Sequence, residues 1–235
     1  MHLPILHQDP HFIAINKPCG LLVHRTRIAE EQTHFALQLL RNQIGQRVYP
    51  IHRLDRPTSG VLIFGLNKEA ASSFQEQIKA HTIQKKYWTI VRGYTEEKGV
   101  IEYDLKKDGD GVLQKAITHY QRLATTELNI PVSRYPTARY SLVEVYPQTG
   151  RMHQIRRHFA HLRHYIVGDK THGERHHNRM FKEQLNCPLM LLHAHSLTFK
   201  HPFSQQQTEI KAPLPEHWKN VLPYLNLEKF AESLD

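Results

Sequence analysis

His52-Arg53-Leu54-Asp55-Arg56-Pro57-Thr58-Ser59-Gly60 runs directly into Val61-Leu62-Ile63-Phe64. It sets one carboxylate in a basic turn at the entry to an apolar strand. Pro57 and Gly60 punctuate the turn, and the four apolar residues after it read as a buried strand. Arginines flank Asp55 at minus two and plus one, and nearby positive charge favours the ionised form of a carboxylate. An ionised carboxylate on a rigid turn can be a nucleophile, an electrostatic stabiliser or the anchor of a structural ion pair. The nine residues alone leave all three open.

Outward from this turn, Asn67 is placed to cap a helix whose Ala70, Phe74 and Ile78 recur at four-residue spacing. Upstream, Phe12-Ile13-Ala14-Ile15, the Lys17-Pro18-Cys19-Gly20 turn and Leu21-Leu22-Val23 read as a hairpin, and residues 33–44 as a helix. Residues 87–91 and 140–146 are β-rich, and Lys106 to Gly111 is a turn or flexible loop. Residues 168–188 read as a surface loop, or an insertion that orders on a partner. Strands mixed with helices, several joined by turns too short for crossover helices, predict an α+β fold with a mixed, largely antiparallel sheet. Without a linker or a shift in composition, residues 1–235 are expected to form a single domain.

The chain of 235 residues carries a net charge of +9 and 19 histidines, a balance that points to polyanionic partners such as nucleic acid. Apolar runs stay short of the ~18 residues of a spanning helix. The first residues lack a signal-peptide pattern, and the two cysteines stand in no metal or redox spacing. A cytoplasmic protein, without a membrane partner, is expected. HExxH, zinc-finger, GxSxG, GxGxxG and P-loop patterns are missing. Hence neither a metal nor a nucleotide cofactor is expected, and Ser59 reads as a turn residue rather than a nucleophile.

From Pro147 to Gly168 there is no acidic residue. Within this stretch, residues 149–164 predict a helix capped by Thr149, with Met152, Ile155, Phe159 and Leu162 as its apolar stripe. Arg156 falls on the shoulder of that stripe and Arg157 points to solvent. A partly desolvated arginine needs an anion, because an unpaired buried charge costs several kcal/mol. Asp55 is the sharper choice of anion for Arg156.

Together these segments resemble the RluA-type pseudouridine synthases, from Asn16 to about His201. The resemblance rests on Asn16-Lys17-Pro18-Cys19-Gly20-Leu21-Leu22-Val23-His24, the His52 to Gly60 turn, Lys85-Lys86-Tyr87, Thr149-Gly150-Arg151-Met152-His153-Gln154-Ile155-Arg156, and Leu191-Leu192-His193-Ala194. It implies a synthase fold with an active-site cleft flanked by helices, no S4-like N-terminal domain and no cofactor. Asp55 would be the nucleophile or base, Tyr87 the ring against the target uracil, and Arg156 the basic partner of Asp55. Leu191 or Leu192 would pack near the base, and Arg53 would fill the gap left by a flipped nucleotide. Among the remaining cations, Arg56, Arg157 and Lys86 are candidates for binding the RNA.

The resemblance is nearest the family's tRNA-specific members. It implies action on the uridine at position 65 in the T-arm stem of certain tRNAs, with ribosomal RNA as the alternative substrate. The sequence does not reveal an oligomeric state, and a monomer is the default expectation. The reaction detaches uracil from its ribose and rejoins it through C5. Attack on ribose C1′, proton abstraction from C2′ and addition to uracil C6 all require an ionised carboxylate. Two other classes compete: a non-catalytic RNA-binding or RNA-chaperone protein, and a glycosidase-like hydrolase. The hydrolase would need a second carboxylate, and none stands out.

Overall fold

A computed structural model of the chain describes residues 1–24 and 34–232. In chain order its first half holds β1 (Ile5–Gln8), β2 (Phe12–Lys17), α1 (Ala36–Ile44), β3 (Tyr49–Pro50), β4 (Ser59–Gly65), α2 (Lys68–Lys79), β5 (Gln84–Arg92), β6 (Lys98–Glu102), β7 (Leu105–Lys106) and β8 (Leu113–Gln114). The second half holds β9 (Ile117–Leu128), β10 (Ala138–Pro147), α3 (Gln154–His161), α4 (Arg175–Gln184), β11 (Leu192–Lys200), β12 (Gln207–Lys211), α5 (Glu216–Val221) and α6 (Lys229–Glu232). The chain packs as two compact units, residues 1–85 with 194–213 and residues 86–193 with 214–235.

In the first unit β4 is the central strand. All seven of its residues are buried, and it pairs antiparallel with β2 and β3. The apolar run after the Asp55 turn is thus the buried strand its composition predicts. Asn67 caps α2, its side-chain oxygen accepting the Ala70 N–H at 2.8 Å. Ala70 and Phe74 then pack with Phe12, Val61, Ile63 and Phe199, and Ile78 flanks them. β11 pairs antiparallel with β12 from Ser196 to Lys200.

The hairpin expected over residues 12–24 is not formed. β2 pairs with β1 and β4, while Leu22 makes a parallel bridge to Phe35. The turn at residues 18–20 redirects the chain instead of returning it. The helix expected over residues 33–44 is α1, beginning at Ala36; residue 33 lies outside the described residues.

In the second unit β5, β10, β9 and β6 pair antiparallel in that order. Strand alternation gives the layer two apolar faces. Ile90, Tyr140, Leu142, Phe181, Leu191 and Trp218 belong to one cluster, and Val91, Val143, Val145, Ile155, Phe159 and Leu192 to another. The expected α+β fold with a large, mainly antiparallel sheet is therefore present. The predicted β-rich stretches are β5 and β10.

Two expectations in this unit need correction. Residues 168–188 are not a loop: they contain α4, whose His177, Met180 and Phe181 are buried. Three anchors in a ten-residue polar helix suffice, because the Tyr140 hydroxyl shares a 2.6 Å hydrogen bond with His177 Nδ1. The basic helix is shorter than predicted, starting at Gln154 after His153 in the left-handed region. Thr149 does not cap it, and Met152 is 40% exposed and outside the apolar stripe. The hydroxyl of Thr149 instead accepts the Ile117 N–H at 3.0 Å and donates to Gln154 Oε1 at 2.7 Å, so the chain before α3 is tied to β9.

Candidate active site

The Asp55 turn is built by its neighbours. Its own closure is the Thr58 N–H to Asp55 carbonyl bond of 3.0 Å. Lys17, fully buried at the end of β2, donates from Nζ to the carbonyls of Pro18 (3.0 Å), Leu21 (2.8 Å) and Arg56 (3.2 Å). Three carbonyls meet the three N–H groups of one ammonium, which joins the 18–21 turn to the Asp55 turn. The Gly20 N–H donates to the Arg56 carbonyl at 2.8 Å, Arg56 Nε returns a bond to the Gly20 carbonyl at 3.1 Å, and Cys19 Sγ lies 3.0 Å from the Pro57 carbonyl. Burial pushes the Lys17 ammonium down to about 8, with the charges of Cys19 and Asp55 opposing that shift.

His52 Nε2 accepts the Ile63 N–H at 3.3 Å. Burial, followed by the charge of Lys85, pushes the imidazole down to about 3, so it stays neutral and keeps this acceptor. Gly60 has φ +108°, and a Cβ there would lie 2.1 Å from the Ala194 carbonyl oxygen. Only glycine permits both the backbone angle and the approach. The turn thus presents Arg53 and Arg56 exposed and Asp55 half-buried.

In the second unit Tyr87 lies on β5 opposite Val145 and packs, half-buried, against the cluster that includes Leu192, Ile155 and Phe159. Leu191 faces the other way, with Ile90 and Trp218. Its carbonyl receives Thr89 Oγ1 at 2.8 Å and the Ile90 N–H at 3.2 Å. Lys86 Nζ is 3.2 Å from Glu144 Oε1, an acid that also accepts from Trp88 Nε1 and the Tyr146 hydroxyl.

Arg156 is more deeply buried than a shoulder position implies, at 3% exposure, and for two of its nitrogens the anion is Asp169. Nε meets Oδ2 at 2.7 Å and Nη2 meets Oδ1 at 2.8 Å. Burial alone would raise the Asp169 carboxyl. Arg156 and the N–H groups of His172 and Thr171 outweigh it and hold the group below the ordinary carboxylate range. Arg157 is half-buried and gives Nη1 to the Lys106 carbonyl at 3.0 Å, where solvent was expected. Gln154, also buried, donates from Nε2 to the Ile117 carbonyl and Thr118 Oγ1, and accepts from the Arg151 N–H.

Sequence reading missed Asp169, Gln154 and the anchoring role of Lys17. One signal was available for Asp169: it is the first acid after the acid-free stretch that ends at Gly168. Among the described residues no group of three His, Cys, Asp or Glu is placed to hold a metal ion, and no helix is long and apolar enough to cross a membrane.

The chain is similar to known proteins. The RNA pseudouridylate synthase family model matches residues 11–161, running through both units. The chain is 47% identical over 229 residues to tRNA pseudouridine synthase C of Vibrio vulnificus, covering 93% of this chain and 94% of that protein. It is 48% identical over 228 residues to the protein of the same name from Haemophilus ducreyi, at 93% and 94% coverage. Among solved structures, human RNA pseudouridylate synthase domain containing 4 superposes with a TM-score of 0.74 at 25% identity, covering 95% of this chain and 93% of that one. The chain belongs to the RNA pseudouridylate synthase family, as its motifs implied.

Proposed function

We propose that this protein isomerises uridine to pseudouridine in tRNA, at position 65 of the T-arm stem, with Asp55 as the reacting carboxylate. The observation that carries the reading is the construction of the Asp55 turn. A buried ammonium, a neutral imidazole and a glycine that admits no side chain all hold one half-buried carboxylate between two exposed arginines. The choice of tRNA rests on the names of the two bacterial relatives, each matched over nearly its full length.

In this reading the target nucleotide leaves its stack, at a cost of a few kcal/mol. Arg53, exposed on the turn, fills the space it vacates. The Tyr87 ring holds the uracil face, and Leu192, packed in the same cluster as Tyr87, is the leucine that lies near the base. Asp55 acts on the nucleotide as an ionised carboxylate, and Arg156 supplies the fixed positive charge for that group. Arg56, Arg157 and Lys86 contact the RNA backbone, giving affinity without sequence information. The protein works as a monomer in the cytoplasm.

The test is tritium release from RNA labelled at uracil C5, which loses its hydrogen only when the new carbon–carbon bond forms there. Release from bulk tRNA, with pseudouridine mapped to position 65, is the expected result. Release from ribosomal RNA alone would overturn the substrate. Tight RNA binding without release from either would favour a non-catalytic RNA-binding protein.

A further inference from the structure

We propose that Asp169 is a positioning residue for the reaction, fixing the Arg156 guanidinium in one orientation through both of its carboxylate oxygens. The proposal rests on the reading that Arg156 serves the reacting groups. Asp169 carries no role in the motifs that define the site, and it enters only through geometry.

The pair is a fork meeting a fork, 2.7 Å and 2.8 Å, between side chains 3% and 1% exposed. Two parallel bonds to a planar group set its angle as well as its distance. In a buried setting, parting the two takes a charged partner away from each, which is costly. Asp169 is itself held from the other side. The N–H groups of Thr171 and His172 donate to Oδ1 at 2.9 Å and 3.0 Å. Its carbonyl accepts Asn178 Nδ2 at 2.7 Å, and Asn178 Oδ1 takes the Gly168 N–H at 2.7 Å. The turn into Asp169 depends on Gly168, where φ is +78° and a Cβ would stand 2.1 Å from the Leu189 carbonyl oxygen.

This is a chain of rigid parts: Leu189 backbone, Gly168 turn, Asn178 on α4, Asp169, Arg156 on α3. A stability role alone is a weak reason for it, because a buried ion pair is often no more stabilising than apolar side chains of the same volume. Fixing the direction of a guanidinium is something apolar side chains cannot do.

The experiment compares wild type, Asp169→Asn, Asp169→Glu, Arg156→Lys and the Asp169→Asn/Arg156→Lys double variant. For each, the single-turnover rate of tritium release from labelled tRNA is read with enzyme in excess, beside the tRNA dissociation constant and the thermal midpoint. Asparagine retains an oxygen for the two backbone N–H groups but loses the charge and one arm of the fork. Glutamate keeps the charge and displaces it, and it carries the test if the asparagine variant does not fold.

Both single changes at 169 are expected to slow the chemical step by about tenfold to a hundredfold, the range produced by misplacing a positioned group by an ångström. The dissociation constant should stay within about twofold of wild type, since only the step itself is affected. The double variant should be no slower than Arg156→Lys alone, as two changes on one route do not add. A folded Asp169→Asn or Asp169→Glu protein with a lower thermal midpoint but the wild-type rate would overturn the proposal and leave Asp169 structural. A slow Asp169→Asn beside a fully active Arg156→Lys would overturn the route through Arg156. Wild type without tritium release would instead sink the proposed function, a result distinct from either.

Discussion

The Lys17 ammonium lies 3.2 Å from the carbonyl oxygen of Arg56, the residue that follows Asp55. This one bond makes the end of β2 part of the Asp55 turn, and it has a pH signature. The ordinary lysine value of 10.5 falls to about 8 here through burial, with Cys19 and Asp55 opposing the shift. Below about 8 both folded and unfolded states hold the proton, so this group gives no slope. Between about 8 and 10.5 the unfolded state binds more protons, so stability from this group rises with pH, by on the order of 3 kcal/mol. Unfolding free energy measured from pH 7 to 11 for wild type and Lys17→Met should show that rise in wild type only. Parallel curves would refute the assignment.

Gly60→Ala should destabilise the protein by more than about 3 kcal/mol, because strain at a forbidden φ adds to a backbone collision. With a Cβ 2.1 Å from the Ala194 oxygen, β4 or β11 has to shift. A thermal midpoint within a degree or two of wild type would show that the two backbones approach less closely.

Tyr87 packs its ring against the Leu192 cluster, so Tyr87→Phe should keep the fold and RNA affinity. If the hydroxyl assists a proton transfer, turnover should fall by about tenfold or more. Tyr87→Leu, which removes the aromatic face as well, should also weaken RNA binding, by about 1–3 kcal/mol. Equal turnover in Tyr87→Phe and wild type would reduce the role of Tyr87 to its ring.

Arg157→Ala should weaken tRNA binding about equally for all sequences and flatten the slope of log affinity against log salt by about one. The contact of Nη1 with the Lys106 carbonyl leaves the rest of the guanidinium for phosphate. An unchanged slope would mean that the side chain serves only to hold the β7–β8 hairpin.

How far the sequence carried differs from element to element. β4 and α2 were legible because each has a local cause: a continuous apolar run after a proline–glycine turn, and an asparagine cap ahead of a four-residue apolar repeat. The pairing of β2 was not, because Pro18 and Gly20 mark a change of direction without saying which strand comes next. α4 was hidden by its composition. Its ten residues are nearly all polar, and its burial depends on His177, Met180 and Phe181 finding distant partners such as Tyr140.

The site divides in the same way. The residues of the Asp55 turn and the Arg156 motif could be picked out along the chain, since they lie in compact segments. The need of Arg156 for an anion was also legible, from its burial. That Asp169 meets two of its nitrogens was not, because the bond joins α3 to the stretch before α4, where a surface loop or an insertion that orders on a partner was expected. Leu191 and Leu192 could not be separated until the structure placed them, at the entry to β11, in different clusters.

The central claim is that Asp55 carries the chemistry, and one comparison tests it most directly. Wild type, Asp55→Asn and Asp55→Ala are assayed side by side for tritium release from tRNA labelled at uracil C5, with RNA affinity measured on the same preparations. The account predicts release by wild type, none above background from either variant, and tRNA affinity retained in both. Release by Asp55→Ala at a rate near wild type, with the fold and affinity intact, would contradict it.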